Sequence, residues 1–279
     1  MQGKLCIITG ATSGVGLAAA EALARKGARL ALVGRDPGRG TAALQRIRAA
    51  APGSEVTIHY ADLFRLAEVR RLGDELLQAY PRIDVLVNNA GAMFQRREVT
   101  PDGLERTLAL NHMAYFVLTE RLRERLAASA PARIVNVASR AHEGATLDLD
   151  DLNMERHYSG WLAYRRSKLA NILWTRELAR RIAGSGVTAN CLHPGFVATR
   201  FGDNNGGWLR LMFGMAKRVA ALRPEQGAET VVYLASAPRL DDASGGYFAN
   251  SAPATPSVAA QDDAAARRLW ELSEAFAHR

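Results

Sequence analysis

The chain has 279 residues, of which 48% are hydrophobic and 23% are charged. This composition excludes disordered, collagen-like and coiled-coil proteins. The formal net charge is +8, but the 36 basic residues are scattered along the chain rather than gathered in one block. We therefore expect no nucleic-acid partner, because such proteins usually concentrate their positive charge on one face.

The apolar patterning predicts a cytoplasmic protein without a transmembrane segment. No run of 18 apolar residues is present, so no span is expected. The strand-like Lys4–Thr9 is followed at once by a turn, which does not fit a signal peptide. Cys6 and Cys191 lie in apolar runs and are too few for a disulfide framework, which favours reduced thiols in the protein core.

Short apolar runs alternate with longer helical patterns through most of the chain. Helices are predicted at 15–26, 37–50, 65–79, 103–128 and 160–184, and strands at Leu5–Thr9, Arg29–Val33, Glu55–His59, Ile83–Val87, Arg133–Val137 and Val187–His193. Most of these strands are continuously apolar, which is typical of strands with helices on both faces. The pattern predicts an α/β fold with one doubly wound parallel sheet of the Rossmann type, in a single domain over residues 1–279.

A glycine-rich turn, Thr9–Gly16, joins the first strand to the first helix. Glycines permit a tight turn there and let backbone N–H groups approach a pyrophosphate at the positive end of the helix. The strand–turn–helix context therefore predicts a dinucleotide site. Its predicted residues are Gly10, Thr12, Ser13, Gly14, Val15 and Gly16.

The end of the second strand carries two residues that would select different cofactors. Arg35 could pair with the 2′-phosphate of NADP. Asp36 lies about 20 residues after Gly16, where an acidic side chain could bind the ribose 2′-OH of NAD. Alternatively, Asp36 could simply cap the next helix, which would begin at Pro37.

Tyr164 and Lys168 are four residues apart in a strong helical pattern and therefore share one helix face. A nearby ammonium group is expected to lower the pKa of a phenol toward the range in which it can act as an acid or base. Ser139 ends the fifth strand, at the sheet edge where open α/β folds bind ligands. By itself the Tyr/Lys pair could equally be a surface pair.

Together, these residues resemble the short-chain dehydrogenase/reductase family. The resemblance rests on motifs that follow one another in the family's order, namely Thr9–Gly16, Asp62-Leu63, Asn88–Gly91, Asn111, Asn136–Ser139, Tyr164 with Lys168, and Pro194–Thr199. It implies that Tyr164 is the general acid/base, that Ser139 binds the substrate carbonyl oxygen, and that Lys168 binds the nicotinamide ribose and tunes Tyr164. Asn111 would hold a water in the proton relay. Arg35 would favour NADP(H), and the other cofactor contacts would come from Asp62, Leu63, Asn89, Ala90, Gly91, Pro194, Gly195, Val197 and Thr199.

Within that family the chain is similar to the retinol-dehydrogenase branch, through stretches such as Asn136–His142 and Ser167–Trp174. Only Met1–Gly3 precedes the first strand, so a carbonyl reductase without an N-terminal membrane anchor is expected. Residues 201–222 begin with glycines and continue into an apolar stretch, which favours a lid over a bulky apolar carbonyl or alcohol substrate. Core packing or contact with a membrane surface are the alternatives for this segment.

Three further expectations concern metal binding, the oligomeric state and an alternative function. The scattered histidines His112, His142, His157 and His193 lack metal-ligand spacing, so no metal site is expected. The family resemblance implies dimers or tetramers formed through helices 103–128 and 160–184. The alternative to an NADP(H)-dependent oxidoreductase is a non-catalytic NADP(H)-sensing protein of the same fold.

Overall fold

The strands in the described part of the chain form one eight-stranded sheet in the order β3-β2-β1-β4-β5-β6-β7-β8. The computed structural model describes residues 1–195, 223–238, 240 and 243–278. The strands are β1 (Leu5–Thr9), β2 (Arg29–Gly34), β3 (Val56–Tyr60), β4 (Val85–Asn88), β5 (Ala132–Val137), β6 (Val187–Leu192), β7 (Tyr247–Ala249) and β8 (Ala252–Pro253). Pairing is parallel from β3 through β7, and only β8 is antiparallel to its neighbour. The predicted parallel Rossmann-type sheet is thus confirmed.

Helices cover both faces of this sheet. They are α1 (Gly14–Arg25), α2 (Pro37–Ala50), α3 (Leu66–Ala79), α4 (Arg106–Leu108), α5 (Ala114–Ala128), α6 (Gly160–Arg181), α7 (Pro224–Ser236) and α8 (Asp263–Ala277). One buried apolar cluster lies between the sheet and α1, α2 and α7. A second, larger cluster lies under α3, α5, α6 and α8. The continuously apolar strands face both clusters, as their sequences predict.

The predicted helix 103–128 is interrupted near its start. Glu105 accepts hydrogen bonds from the N–H groups of Thr107 and Leu108, at 2.8 Å each, so helical structure begins after this residue. A π-helical turn, Ala109–Met113, then separates α4 from α5. Such turns often occur at functional sites, and this one contains Asn111.

The predicted fourth strand also starts late, at Val85 rather than Ile83. The Ile83 N–H donates to Ser129 Oγ, and the Asp84 carboxylate accepts from the Leu5 N–H. The backbone of Asp84 still bonds to Leu5 and Arg133, so the side-chain hydrogen bonds add to the backbone bonds at the start of this strand. Strand β1 matches its prediction, β2, β5 and β6 differ by one residue at one end, and β3 is shifted by one residue.

The C-terminal elements were not predicted from the sequence. Helix α7 packs against α1, β7 pairs with β6, and α8 packs against α6. Trp270 of α8 is fully buried, with its ring centre 5.1 Å from that of Phe116 and 4.3 Å from the Arg181 guanidinium carbon. Helix α8 thus covers parts of α5 and α6 that the family resemblance assigned to a subunit interface.

The connection from β5 to α6 is more ordered than its polar sequence suggests. Arg156 binds Asp148 at 3.0 Å and Asp151 at 3.3 Å. The three leucines of this connection pack against the core, namely Leu147, Leu149 and Leu152. The acidic residues therefore hold the loop together through one arginine, while its leucines anchor it to the protein.

Both cysteines are buried free thiols, and burial raises the pKa of each to about 12. They are the core thiols that the sequence predicts. Among the helices in the described part of the chain, none combines the length and the apolar character needed to cross a bilayer.

Candidate active site

Tyr164, Lys168 and Ser139 meet at the carboxyl end of β5. Tyr164 and Lys168 lie one turn apart on α6, and both are buried. The Ser139 side chain is close enough to the Tyr164 hydroxyl to lower the pKa of the phenol. Lys168 Nζ donates to the carbonyl oxygen of Val137 at 2.9 Å and lies 5.7 Å from the Tyr164 ring centre. The pair is therefore part of a buried cluster and not a surface pair.

Burial dominates the protonation of this cluster. It raises the pKa of Tyr164 to about 12, although the hydrogen bond from Ser139 opposes the rise. It lowers the pKa of Lys168 to about 7. The expectation that the ammonium group lowers the pKa of the phenol is thus wrong for the protein alone, because desolvation of Tyr164 outweighs it.

Asn111 connects the cluster to the loop after β4. Its Oδ1 accepts from the Ala92 N–H at 2.9 Å, and its Nδ2 donates to the Ala92 carbonyl and to Ser167 Oγ at 3.0 and 2.9 Å. Both amide hydrogens are therefore used, and Oδ1 keeps one lone pair for a further donor. A Cβ atom on Gly91 would lie 3.3 Å from Asn111 Oδ1 and 3.4 Å from Lys168 Nζ, so a side chain at Gly91 would crowd the cluster.

The glycine-rich turn has the local geometry that a phosphate loop requires. Gly10 and Gly14 have φ values of +66° and +56°, which favour glycine. A Cβ atom on Gly16 would lie 2.4 Å from Asn89 Nδ2 and 2.6 Å from the Gly10 carbonyl oxygen. Ser13 occupies the N-cap of α1 without a side-chain capping bond. The helix N-terminus is thus left with donors for an anion.

The loop after β4 connects this turn to the catalytic cluster. Asn89 Nδ2 donates to the carbonyl oxygen of Thr9 at 2.8 Å, and the N–H groups of Asn89 and Ala90 both donate to Thr9 Oγ1. Gly91, two residues after Asn89, lies beside Lys168. The predicted cofactor residues Gly10, Gly16, Asn89, Ala90 and Gly91 are therefore contiguous with Lys168, along a path that an extended dinucleotide would follow.

Two further predicted residues of the phosphate loop, Val15 and Thr12, pack against the rest of the protein. Val15 is buried in the core beneath α1, and Thr12 packs so closely against the end of β2 that a Cβ atom on Gly34 would lie 2.6 Å from its methyl carbon. These contacts fix the turn against the second strand, beside the ribose end of the site.

At the ribose end, the structure gives Asp36 and Arg35 different roles. Asp36 Oδ1 accepts from the Arg39 N–H at 2.8 Å and caps α2, which begins at Pro37. The capping interpretation of Asp36 is thus confirmed. Arg35 is half exposed, lies 3.8 Å from Asp62 and has its guanidinium carbon 5.4 Å from the Phe64 ring centre. Leu63, which lies between Asp62 and Phe64 in sequence, is buried.

The last group of predicted cofactor residues follows β6. Pro194 and Gly195 are partly exposed, and the Gly195 N–H donates to His193 Nδ1 at 3.1 Å. Gly195 has a φ of +78°. Val197, Thr199 and the predicted lid at 201–222 lie outside the described residues. In the described ranges, no group of three potential ligands is placed to hold a metal ion.

Three residues near the cluster were missed in sequence reasoning. Trp161 is 50% exposed and stacks on Tyr164, with ring centres 5.9 Å apart and planes at 25°. Tyr115 is buried with its ring centre 5.7 Å from Lys168 Nζ. His142 binds the carbonyl oxygen of Ser139. Only Trp161 had a usable signal, its position three residues before Tyr164 on the same helix.

Comparison with known proteins identifies the family. The sequence profile described as short chain dehydrogenase matches residues 4–209. The chain belongs to this family. It is 41% identical to human retinol dehydrogenase 14 over 98% of this chain and 86% of that protein. It is 43% identical to a Streptomyces sp. (strain C5) protein assigned as a daunorubicin C-13 ketoreductase, over 99% and 93% of the two chains.

Solved structures agree with this assignment. The chain is similar to a Mycobacterium paratuberculosis protein with a TM-score of 0.80 and 34% identity, over 99% of this chain and 94% of that one. It is also similar to a short chain dehydrogenase from Burkholderia cenocepacia J2315 in complex with NADP, with a TM-score of 0.70 and 26% identity, over 94% and 99%. This short-chain dehydrogenase is thus an oxidoreductase of the retinol-dehydrogenase-like branch.

Proposed function

We propose that the protein is an NADP(H)-dependent oxidoreductase that interconverts an aldehyde or ketone and its alcohol on a bulky apolar substrate. The observation that carries this proposal is the buried pair of Tyr164 and Lys168, one helix turn apart, with Ser139 beside the Tyr164 hydroxyl and Gly91 beside Lys168. A bound NADP(H) would supply or accept the hydride. All other roles fall to side chains of this chain.

The substrate oxygen would bind between Ser139 and Tyr164. Ser139 Oγ accepts from the Ala141 N–H at 3.1 Å, which leaves its own hydrogen for donation to a substrate carbonyl. Tyr164 would give its proton to the oxygen as the carbonyl is reduced and take it back in the reverse reaction. Because Ser139 and Tyr164 lie side by side in the protein alone, both hydroxyls could contact one substrate oxygen with little reorganisation.

Lys168 and Asn111 would support this transfer. Lys168 lies next to Gly91, where its ammonium group would bind the nicotinamide ribose and, in the complex, lower the pKa of Tyr164. The free lone pair of Asn111 Oδ1 is one position at which it could hold the relay water.

The choice of NADP(H) rests on Arg35. It is half exposed at the end of β2, whereas the Asp36 carboxylate is occupied in capping α2. The NADP complex of the similar Burkholderia protein supports the same choice. Preference for a bulky apolar substrate is supported by Trp161, a half-exposed indole stacked on Tyr164. The cytoplasmic location and the assembly into dimers or tetramers stay predictions.

The test is reduction of a carbonyl panel with NADPH by the wild type and Tyr164→Phe. We expect the variant to lose turnover by about 10²–10⁴-fold, the typical contribution of a positioned acid, while its Kd for NADPH stays within about twofold. Near-normal turnover of the variant would overturn the role of Tyr164. Tight NADPH binding by the wild type without turnover on any carbonyl would favour the non-catalytic sensor instead.

A further inference from the structure

His142 contacts the main chain of the predicted catalytic serine, Ser139. It is fully buried at the end of a short 3-10 turn, Arg140–His142. Its ring Nδ1 lies 2.7 Å from the Ser139 carbonyl oxygen, which also accepts from the His142 N–H at 3.2 Å. One residue therefore provides both donors to this carbonyl and fixes the plane of the peptide that follows Ser139.

The partners of the ring determine its tautomer. A carbonyl oxygen can only accept, so Nδ1 must carry a hydrogen and donate it to Ser139. On the other side of the ring, the Ser257 N–H donates to Nε2 at 3.1 Å, so Nε2 must be unprotonated. His142 is thus neutral, with its hydrogen on Nδ1, and burial keeps its pKa below the usual value.

The groups around the ring come from four segments. Arg140 and Glu143 lie near His142 in sequence, and the Glu143 carboxylate favours the charged form of the His142 ring. Tyr247 of β7 makes an edge contact with ring centres 5.2 Å apart, and its ring also contacts His193. From α6, Arg165 donates to the carbonyl oxygens of Ala141 and Glu143 at 3.1 and 2.6 Å. The turn behind Ser139 is therefore held between α6 and the C-terminal segment.

We propose that His142 is a positioning residue, which holds the Ser139 main chain through Nδ1 and so keeps the serine hydroxyl beside Tyr164. This inference rests on the proposed function, because it assigns His142 to the support of the same reaction. The contact that assigns this role to His142 is made with the Ser139 main chain. Its ring connects the main chain of Ser139 to the backbone N–H of Ser257, which is 115 residues after His142 in the sequence.

Two substitutions separate the two ring nitrogens. In His142→Asn, the side-chain amide lies near the position of Nδ1 and can still donate to the Ser139 carbonyl. In His142→Gln, the side-chain oxygen can reach the position of Nε2 and accept from Ser257, but the side-chain donor to the Ser139 carbonyl is lost and only the backbone N–H remains. Both variants lose the ring and its contact with Tyr247, so their packing losses are matched. Ser257→Ala is the control, because it keeps the N–H and removes a hydroxyl that has no hydrogen-bond partner.

Steady-state reduction with NADPH tests the proposal, together with thermal unfolding of each variant. We expect His142→Gln to lower kcat by about tenfold or more, since small displacements of catalytic groups cost up to about 10²-fold. We expect His142→Asn and Ser257→Ala to stay within about threefold of the wild type, with similar Kd for NADPH in all of them. Equal kcat in the Asn and Gln variants would overturn the positioning role.

A second measurement does not depend on turnover. In the nitrogen-15 NMR spectrum of histidine-labelled wild-type protein at pH 7, we expect His142, assigned by comparison with His142→Asn, to show a protonated Nδ1 and an unprotonated Nε2. The opposite tautomer or a charged ring would contradict the proposed hydrogen bond. A wild type that turns over no carbonyl would contradict the proposed function, while the spectrum would still decide the state of His142.

Discussion

At the residue scale, the cofactor preference depends on two neighbouring side chains with different structural duties. Asp36 caps α2 and is held by the Arg39 N–H, so binding a ribose 2′-OH would compete with the cap. Arg35 is half exposed, with a 3.8 Å ion pair to Asp62 and a guanidinium contact to the Phe64 ring. A surface pair of this kind is worth little, and the guanidinium can turn to a phosphate at small cost.

We predict that Arg35→Ala raises the Kd for NADPH by about tenfold, equivalent to about 1.4 kcal/mol. The Kd for NADH should change by less than twofold, because NADH has no 2′-phosphate for the arginine to bind. Isothermal titration of both cofactors gives the two values. Arg48→Ala, which removes the same charge from the far end of α2, is the matched control. Equal losses for NADPH and NADH would contradict the phosphate role.

Trp161 gives a second prediction at this scale. Its indole is half exposed beside Tyr164, and a ligand that covered it would remove apolar area from water, at roughly 25 cal/mol per Å². We expect Trp161→Ala to raise KM for decanal by about tenfold and to leave kcat/KM for propanal within about twofold. Trp161→Phe keeps an apolar ring and should behave like the wild type. An equal loss of kcat/KM for both aldehydes would indicate instead that the substitution disturbs Tyr164.

The catalytic residues could be predicted because their spacing is local, but their protonation could not. Four residues of separation place Tyr164 and Lys168 on one helix face in any helix. Desolvation, which moves the pKa of Tyr164 to about 12 and that of Lys168 to about 7, depends on every element packed around them. The same limit applies to His142, whose partner Ser257 is distant in sequence.

At the element scale, the C-terminal helix α8 completes the core under α5 and α6. Trp270 is fully buried against Phe116 and Arg181. We predict that Trp270→Ala destabilises the protein by about 3–5 kcal/mol, because it leaves a large cavity in a packed core. Urea unfolding measures the loss as a lower midpoint.

Two companion variants show whether burial is the cause. Trp270→Phe keeps the ring contact with Phe116 and should cost clearly less than the alanine variant. Trp161→Ala removes an indole that is half exposed and should change the midpoint little. A small loss for Trp270→Ala, similar to that for Trp161→Ala, would mean that α8 is not an integral part of the core.

The first six strands could be predicted, but the elements after residue 193 could not. Strands β1–β6 are apolar runs separated by helical patterns, so sequence periodicity alone reveals them. Strands β7 and β8 have three and two residues, which is too short for any periodicity. They form because β6 offers its open edge, and only the folded sheet shows that edge.

At the scale of the whole molecule, buried histidines make stability depend on pH. His112 is fully buried, with Nε2 2.8 Å from Ser273 Oγ of α8, and burial lowers its pKa to about 4. The unfolded chain takes up this proton near pH 6.5, whereas the folded protein resists it down to about pH 4. Folded stability therefore falls as pH decreases through this window.

We predict that protonation of His112 in the unfolded chain lowers the free energy of unfolding by about 2 kcal/mol when the pH falls from 6.5 to 5. The slope is about 1.36 kcal/mol per pH unit. Urea unfolding at several pH values gives the slope. His112→Asn should show a shallower slope over this range, whatever its absolute stability, since asparagine does not titrate. His157→Asn, which replaces an exposed histidine, is the control and should keep the wild-type slope. Identical slopes for His112→Asn and wild type would contradict this assignment.

The position of α8 late in the chain has a consequence for synthesis on the ribosome. Domains begin to fold while the chain is still emerging, and the dinucleotide half of the sheet, β1 to β3 with α1 and α2, comes first. Phe116 and Trp174 lie against each other under α8, so they stay uncovered until Trp270 has been translated. A nascent chain that stalls before Asp263 would expose these aromatic rings, which makes it a natural substrate for chaperones that bind apolar surface.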